Sequence, residues 1–175
     1  SLGRDVASGI AHGAKTSLLI GLVATLAAVF IGIIFGAFSG YYGGRVDDIL
    51  MRTTEVFQTI PSFVFAILLV AIMKPSIESI VIAITVVSWP GVARLVRAEF
   101  LSLKNREFVQ ACHTLGMSDM RIMLREILPN CLSPIIVIGS LMVATAILIE
   151  SGLAFLGLGD PNIMCWGFQI GAGRT

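Results

Sequence analysis

Charge is scarce in this chain. Asp, Glu, Lys and Arg make up 13% of its 175 residues, about half the usual share in a soluble domain. Hydrophobic residues make up 56%, and the mean hydropathy is +0.92. This composition excludes an ordinary soluble domain and predicts an integral membrane protein. The net charge of +1 leaves no global field that would favour nucleic acid. Cysteine is also rare: Cys112, Cys131 and Cys165 are odd in number and lack metal-ligand spacing, so neither a disulfide framework nor a zinc site follows. Two histidines are too few for a His-based metal site. No GxxxxGK[ST] stretch occurs, so no phosphate-cradling loop is present and nucleotide hydrolysis by this chain is not expected. Any energy input must then come from a partner. The polar, Gly-rich opening, SLGRDVASGIAHGAKTS, has no basic-then-apolar signal pattern, and no cleaved targeting segment is expected. Internal repeats, low-complexity tracts and a soluble second domain are lacking too.

What is present is a series of apolar runs. The first, from about Ser17 to Phe38, is long enough at about 1.5 Å per residue to cross a hydrocarbon core of about 30 Å. Tyr41 and Tyr42 suit an interfacial belt, and Gly43, Gly44 and Arg45 predict a short turn. A second span needs residues from about Asp47 to Met73, with a bend near Pro61, because Phe63–Met73 alone is too short. Lys74, Pro75 and Ser76 make the next turn. A third span runs from about Ile77 to Ala93, kinks near Pro90 and continues as a polar helix. A fourth runs from about Leu132 to Leu158. Four crossings return the chain to the side where it began.

The cations choose the sides. Arg94, Arg97, Lys104, Arg106, Arg121 and Arg125 cluster between Gly91 and Asn130, and Arg45 and Arg52 follow the first run, so both regions are expected in the cytoplasm and both chain ends outside. The polar stretch 102–130 reads as two short amphipathic helices joined at Gly116. Phe108, Ala111, Cys112 and Leu115 form one greasy face; Met120, Met123, Leu124 and Ile127 form the other. His113 sits beside Gln110 on the polar side, where contact with solvent or a partner far outweighs metal ligation. A bland alternative is a hairpin lying on lipid headgroups, but that needs neither the break at Gly116 nor the Leu128-Pro129-Asn130 exit.

Two sets of polar residues fall inside the spans. Glu55, Gln58, Thr59 and Ser62 recur at helical spacing along one side of the second span, and helix-helix hydrogen bonding and the wall of a translocation path explain them equally well. Glu150 counts out to about 30 Å from Asn130, which predicts an acid near the outer interface with a structural pairing or interfacial role ahead of substrate contact.

The stretch Gln110, Ala111, Cys112, Gly116, Ile127, Leu128 and Pro129 resembles the cytoplasmic signature of permease subunits of binding-protein-dependent ABC importers, in the dipeptide, oligopeptide and nickel group. WPGVARLVRAEFLSLKNREFVQA, LGMSDMRIMLREILPN and ESGLAFLGLGDP resemble the same subfamily, as does LGRDVASGIAHGAKTSLLIGL, which is similar to its outer loop and second membrane helix. Gln110 and Cys112 stand where the family often has Glu and Ala. The outer loop DPNIMCWGFQ is less proline-rich than is usual there. The resemblance implies a MetI-like helical bundle with about four of the usual six membrane helices, hence one permease domain over 1–175 that is incomplete at both ends, with 102–130 as its coupling-helix region. It implies a multi-pass protein of the cell inner membrane that is not an enzyme and binds no cofactor, ATP being used by separate ATP-binding subunits. Those subunits dock on Gln110, Ala111, Cys112, His113, Gly116, Ile127, Leu128 and Pro129. A second similar permease and an external solute-binding protein complete the assembly. Peptide leads nickel as cargo, since no His or Cys cluster lines the helices. The rival from another class is an autonomous channel or membrane scaffold.

Overall fold

In the computed structural model, which describes residues 6–160 and 165–172, the regular elements are all helices. They are α1 (Val6–Tyr42), α2 (Gly44–Gln58), α3 (Ser62–Met73), α4 (Ile77–Leu103), α5 (Glu107–Thr114), α6 (Asp119–Phe155) and α7 (Trp166–Ala172). Within α1, α4 and α6, Ile10–Tyr42, Ile77–Leu103 and Asp119–Phe155 are each long and apolar enough to cross a membrane, and the broken pair α2 and α3 makes a fourth if counted as one span. A segment that crosses lipid has to satisfy its backbone internally, which is why such runs fold as helices.

The boundaries differ from the expected ones in two places. The polar opening, expected as a loop, is helical from Val6 onward. Tertiary packing supports it: Trp166 donates its indole N–H to the Ile10 carbonyl at 3.1 Å, and its ring lies over Gly13. At the second site the span over Asp47–Met73, expected to bend near Pro61, breaks there into two helices. Thr59 is still αR, but Pro61 has ψ 127° and Ser62 opens a new helix. Proline has no N–H to give and pushes the preceding residue out of helical conformation.

Contacts divide the chain into two compact units. One comprises the described parts of Ser1–Ala27, Ile60–Ser88 and Ser140–Thr175. Its core joins Ile20 and Ala24 of α1, Ala66 and Val70 of α3, Ile80, Ala83 and Ile84 of α4, and Ala146 and Leu153 of α6. Small residues set the spacing there, since a Cβ on Gly21 would stand 2.9 Å from the Ile147 side chain. Ser76 caps α4, its hydroxyl oxygen accepting the Ser79 N–H at 3.1 Å.

The other unit comprises Ala28–Thr59 and Trp89–Gly139. Its seam is Gly32, Gly36 and Gly40 of α1 against α4. A Cβ on Gly32 would lie 2.5 Å from Val92 Cβ, one on Gly36 2.5 Å from the Ala93 carbonyl, and one on Gly40 2.6 Å from Phe100 Cβ. Glycine every fourth residue lets two helix backbones touch, which is the main source of attraction where no hydrophobic effect operates. Trp89 fills the space beside the seam, its ring centroid 4.6 Å from Phe35 and 5.4 Å from Phe57.

Candidate functional site

The polar hairpin belongs wholly to the second unit. Its first limb, α5, has Arg106 in extended conformation at its N-cap and ends in a Schellman turn. Gly116 N–H donates to the His113 carbonyl at 3.0 Å, Met117 N–H donates to the Cys112 carbonyl at 3.1 Å, and Gly116 has φ 74°. An L side chain resists that conformation, so glycine supplies the turn.

The helix presents two faces. Val109 is fully buried and Cys112 half-buried, while Phe108, Ala111 and Leu115 point outward, Leu115 being 80% exposed. The expected greasy face of α5 is therefore mostly an outward one, Phe108, Ala111 and Leu115 being exposed and Cys112 half-buried. His113, expected on the solvated side, turns its ring to Tyr41, with ring centroids 6.4 Å apart. Gln110 stays exposed, its amide 3.3 Å from the Asn105 carbonyl.

The second limb is not a separate helix. From Asp119 it runs unbroken into the long apolar α6. Ile122–Ile127 is a π-helical turn in which Leu128 N–H reaches back to the Met123 carbonyl. Pro129 accounts for it: proline cannot donate and its ring crowds the carbonyl four residues back, so a widened turn admits it without ending the helix. Asn130 contributes its side-chain amide to the Glu126 carbonyl at 2.6 Å. The expected exit at Leu128 to Asn130 is thus a continuation. Ile122, Met123 and Ile127 are buried by the chain itself, whereas Met120 and Leu124 are exposed. Of the eight docking candidates, Gln110, Ala111, His113, Gly116 and Pro129 are exposed, Cys112 and Leu128 are half-buried, and Ile127 is buried.

The hairpin is tied to α1. Tyr41, in the last turn of α1, donates its hydroxyl to Asp119 Oδ1 at 2.8 Å and lies 3.4 Å from His113 Nε2. Two residues earlier, the Ser39 hydroxyl donates to Asp47 Oδ1. Arg97 grips the same carboxylate with both prongs, Nε to Oδ1 at 2.5 Å and a terminal N–H to Oδ2 at 2.6 Å. Bidentate geometry at partly buried positions makes this pair stronger than a surface ion pair. Composition and periodicity did not single out these contacts. They join residues 8, 50 and 78 positions apart.

The other expected site residues are placed differently. Glu55, Gln58, Thr59 and Ser62 are all exposed, and the break after Gln58 keeps Ser62 off the helical register of the other three. Thr59 turns its hydroxyl back to the Glu55 carbonyl at 3.0 Å. Glu150, expected to have a structural pairing or interfacial role, is fully buried. Ser17 donates to its Oε2 at 2.9 Å, and its Oε1 has no hydrogen-bond partner among the described residues. Among those residues no group of His, Cys, Asp and Glu is arranged to hold a metal ion.

Long apolar helices packed through glycine define an integral membrane protein, and the short helix α5 beside the Gly116 turn leaves an apolar face exposed. The chain belongs to the family of binding-protein-dependent transport system inner membrane components, whose model matches residues 32–164. It is 43% identical over 173 residues to the dipeptide transport system permease protein DppC of Bacillus subtilis, covering 98% of this chain and 54% of that protein. It is 44% identical over 174 residues to the oligopeptide transport system permease protein OppC of Haemophilus influenzae, covering 99% and 56%. The chain thus spans about half the length of the curated relatives it matches. Among solved structures, an inward-facing MetNI methionine ABC transporter chain superposes with a TM-score of 0.80 at 17% identity, over 99% of this chain and 83% of that one. A second crystal form of that transporter gives a TM-score of 0.73, over 85% and 74%. The fold is therefore that of a MetI-type permease bundle.

Proposed function

We propose that this chain is part of the transmembrane permease subunit of an ATP-driven importer, carrying dipeptides or oligopeptides as its named relatives do. The observation that carries the reading is the outward apolar face of α5, Phe108, Ala111 and Leu115, on a helix joined through a stapled turn to α6. A soluble groove that buries this face could move α5, and the rigid turn would pass the push to a membrane helix. In this reading the groove belongs to a separate ATP-binding subunit, which holds the ATP and does the hydrolysis; the chain transmits work and catalyses nothing.

The hairpin then lies in the cytoplasm, where the cation cluster puts it, and both ends of the segment lie outside. A second similar permease completes the path, and an external solute-binding protein delivers cargo. Docking rests on Gln110, Ala111, His113 and Gly116 together with Phe108 and Leu115, whereas Cys112, Ile127 and Leu128 pack toward the chain itself. Glu55 and Gln58 on α2 remain candidates for the polar wall of the path.

A cysteine at Ala111 tests the assignment. With the ATP-binding subunits co-expressed, it is expected to crosslink to them in a nucleotide-dependent way. A hairpin lying on lipid would instead give no crosslink under any nucleotide condition, and uptake would persist without those subunits.

A further inference from the structure

We infer that Tyr41 is a positioning residue that couples the hairpin to α1, so that displacement of α5 reaches a second membrane helix directly and not only through α6. This rests on the reading of the hairpin as the docking handle.

The argument begins with the turn. His113 lies in the last turn of α5 and Asp119 opens α6, with the Gly116 turn between them. The Tyr41 hydroxyl meets both, donating to Asp119 Oδ1 at 2.8 Å while lying 3.4 Å from His113 Nε2, and its ring is nearly parallel to the imidazole at 27°. One side chain of α1 therefore touches the two limbs on either side of the turn. A rigid-body shift of the hairpin must either carry Tyr41 with it or break a charge-assisted hydrogen bond.

Tyr41 is well anchored to receive such a push. It precedes the Gly43 turn, where φ is 65°, and follows Ser39 by half a turn of helix. Ser39 donates to Asp47, which Arg97 of α4 holds by both prongs. Gly36 and Gly40 lock the same stretch of α1 to the α4 backbone. The last turn of α1 thus carries the hairpin contact on one side chain and the α2–α4 contact on another. Energetic coupling needs such a chain of packed, hydrogen-bonded groups, together with an element that has two arrangements. The hairpin in its ATPase groove supplies the second requirement.

The test uses the assembled transporter, with both permeases, the ATP-binding subunits and the solute-binding protein, reconstituted in lipid vesicles. Tyr41→Phe removes only the hydroxyl, and Asp119→Asn only the charge of its acceptor. Both variants are expected to keep the KM for ATP and the rate of ATP hydrolysis while uptake per ATP falls about fivefold or more, the scale of a typical coupling between sites. The double variant is expected to be no worse than either single one, because both remove the same contact. Wild-type uptake per ATP in Tyr41→Phe would overturn the inference, as would additive losses in the double variant. A parallel loss of hydrolysis and uptake in both single variants would overturn it as well, since it would make the contact structural only. If the wild-type assembly itself shows no ATP-dependent uptake, the functional reading fails instead, and the two failures are distinguishable.

Discussion

Ser17 and Glu150 meet across 133 residues of sequence. The hydroxyl donates to Glu150 Oε2 at 2.9 Å, joining α1 to α6 at a site from which the carboxylate has no route to solvent. Glu150 also lines a cavity of about 10 Å³ with Thr16, Ile77, Ile80 and Asp160, space for about one water molecule. A buried acid with one oxygen lacking a described partner is a strained arrangement, and removing its donor adds to the cost.

Ser17→Ala is accordingly expected to destabilise the purified protein by about 1–3 kcal/mol, because it leaves the buried acceptor only the longer hydrogen bond from the Ser151 hydroxyl at 3.3 Å. Glu150→Gln keeps shape and acceptor while burying a neutral group, and is expected to be at least as stable as the parent. Thermal melting in one detergent compares the two. A Ser17→Ala melting point equal to the parent's would show that the pair contributes nothing.

The glycine seam makes a second prediction. A methyl group at position 36 would sit 2.5 Å from the Ala93 carbonyl and 2.6 Å from Val96 Cβ, and neither can yield without moving a helix. Gly36→Ala is expected to cost about 1–3 kcal/mol, the usual range for overpacking, and Gly36→Leu to abolish accumulation in membranes. Gly91, where an added Cβ meets nothing within 4 Å, supplies the control, and Gly91→Ala should accumulate normally.

At Gly116 the penalty has a different source. No atom lies within 4 Å of a Cβ placed there, so the obstacle is the φ of 74° alone. Left-handed geometry costs an L residue about 1–2 kcal/mol, least for Asn and most for a β-branched side chain. Gly116→Val is expected to uncouple ATP hydrolysis from uptake in the reconstituted transporter, and Gly116→Asn to remain near normal. Normal uptake in the valine variant would refute a mechanical role for the turn.

Much of this architecture could be read from the chain. The three long spans, the interruption at Pro61 and the turn at Gly116 follow from run length, proline chemistry and glycine chemistry, all of which act within a few residues. The IGIIFGAFSG stretch, with Gly32, Gly36 and Gly40, also displays a small-residue interface motif in plain sight, and periodicity arguments centred on apolar residues passed over it. The hairpin was harder to read. Apolar periodicity gives the greasy face of Phe108, Ala111, Cys112 and Leu115, but the pattern cannot distinguish burial in the chain's own bundle from exposure, and the structure leaves Phe108, Ala111 and Leu115 outward. Ile127, a docking residue only by resemblance, is buried by the chain itself, and the expected exit at Leu128-Pro129-Asn130 is a helix that a π-turn carries through.

The sequence by itself determined that the chain lives in lipid, where its long apolar runs lie, where proline and glycine interrupt them and to which family it belongs. These are properties of local composition, because in lipid each segment must satisfy its own backbone whatever its neighbours do. Only the tertiary structure decided that Tyr41 bridges the hairpin limbs, that Asp47 is shared by Ser39 and Arg97, and that Glu150 is enclosed beside Ser17. Each is a contact between groups distant in sequence, set by which helix faces meet, and close backbone packing at the glycines brings those faces together.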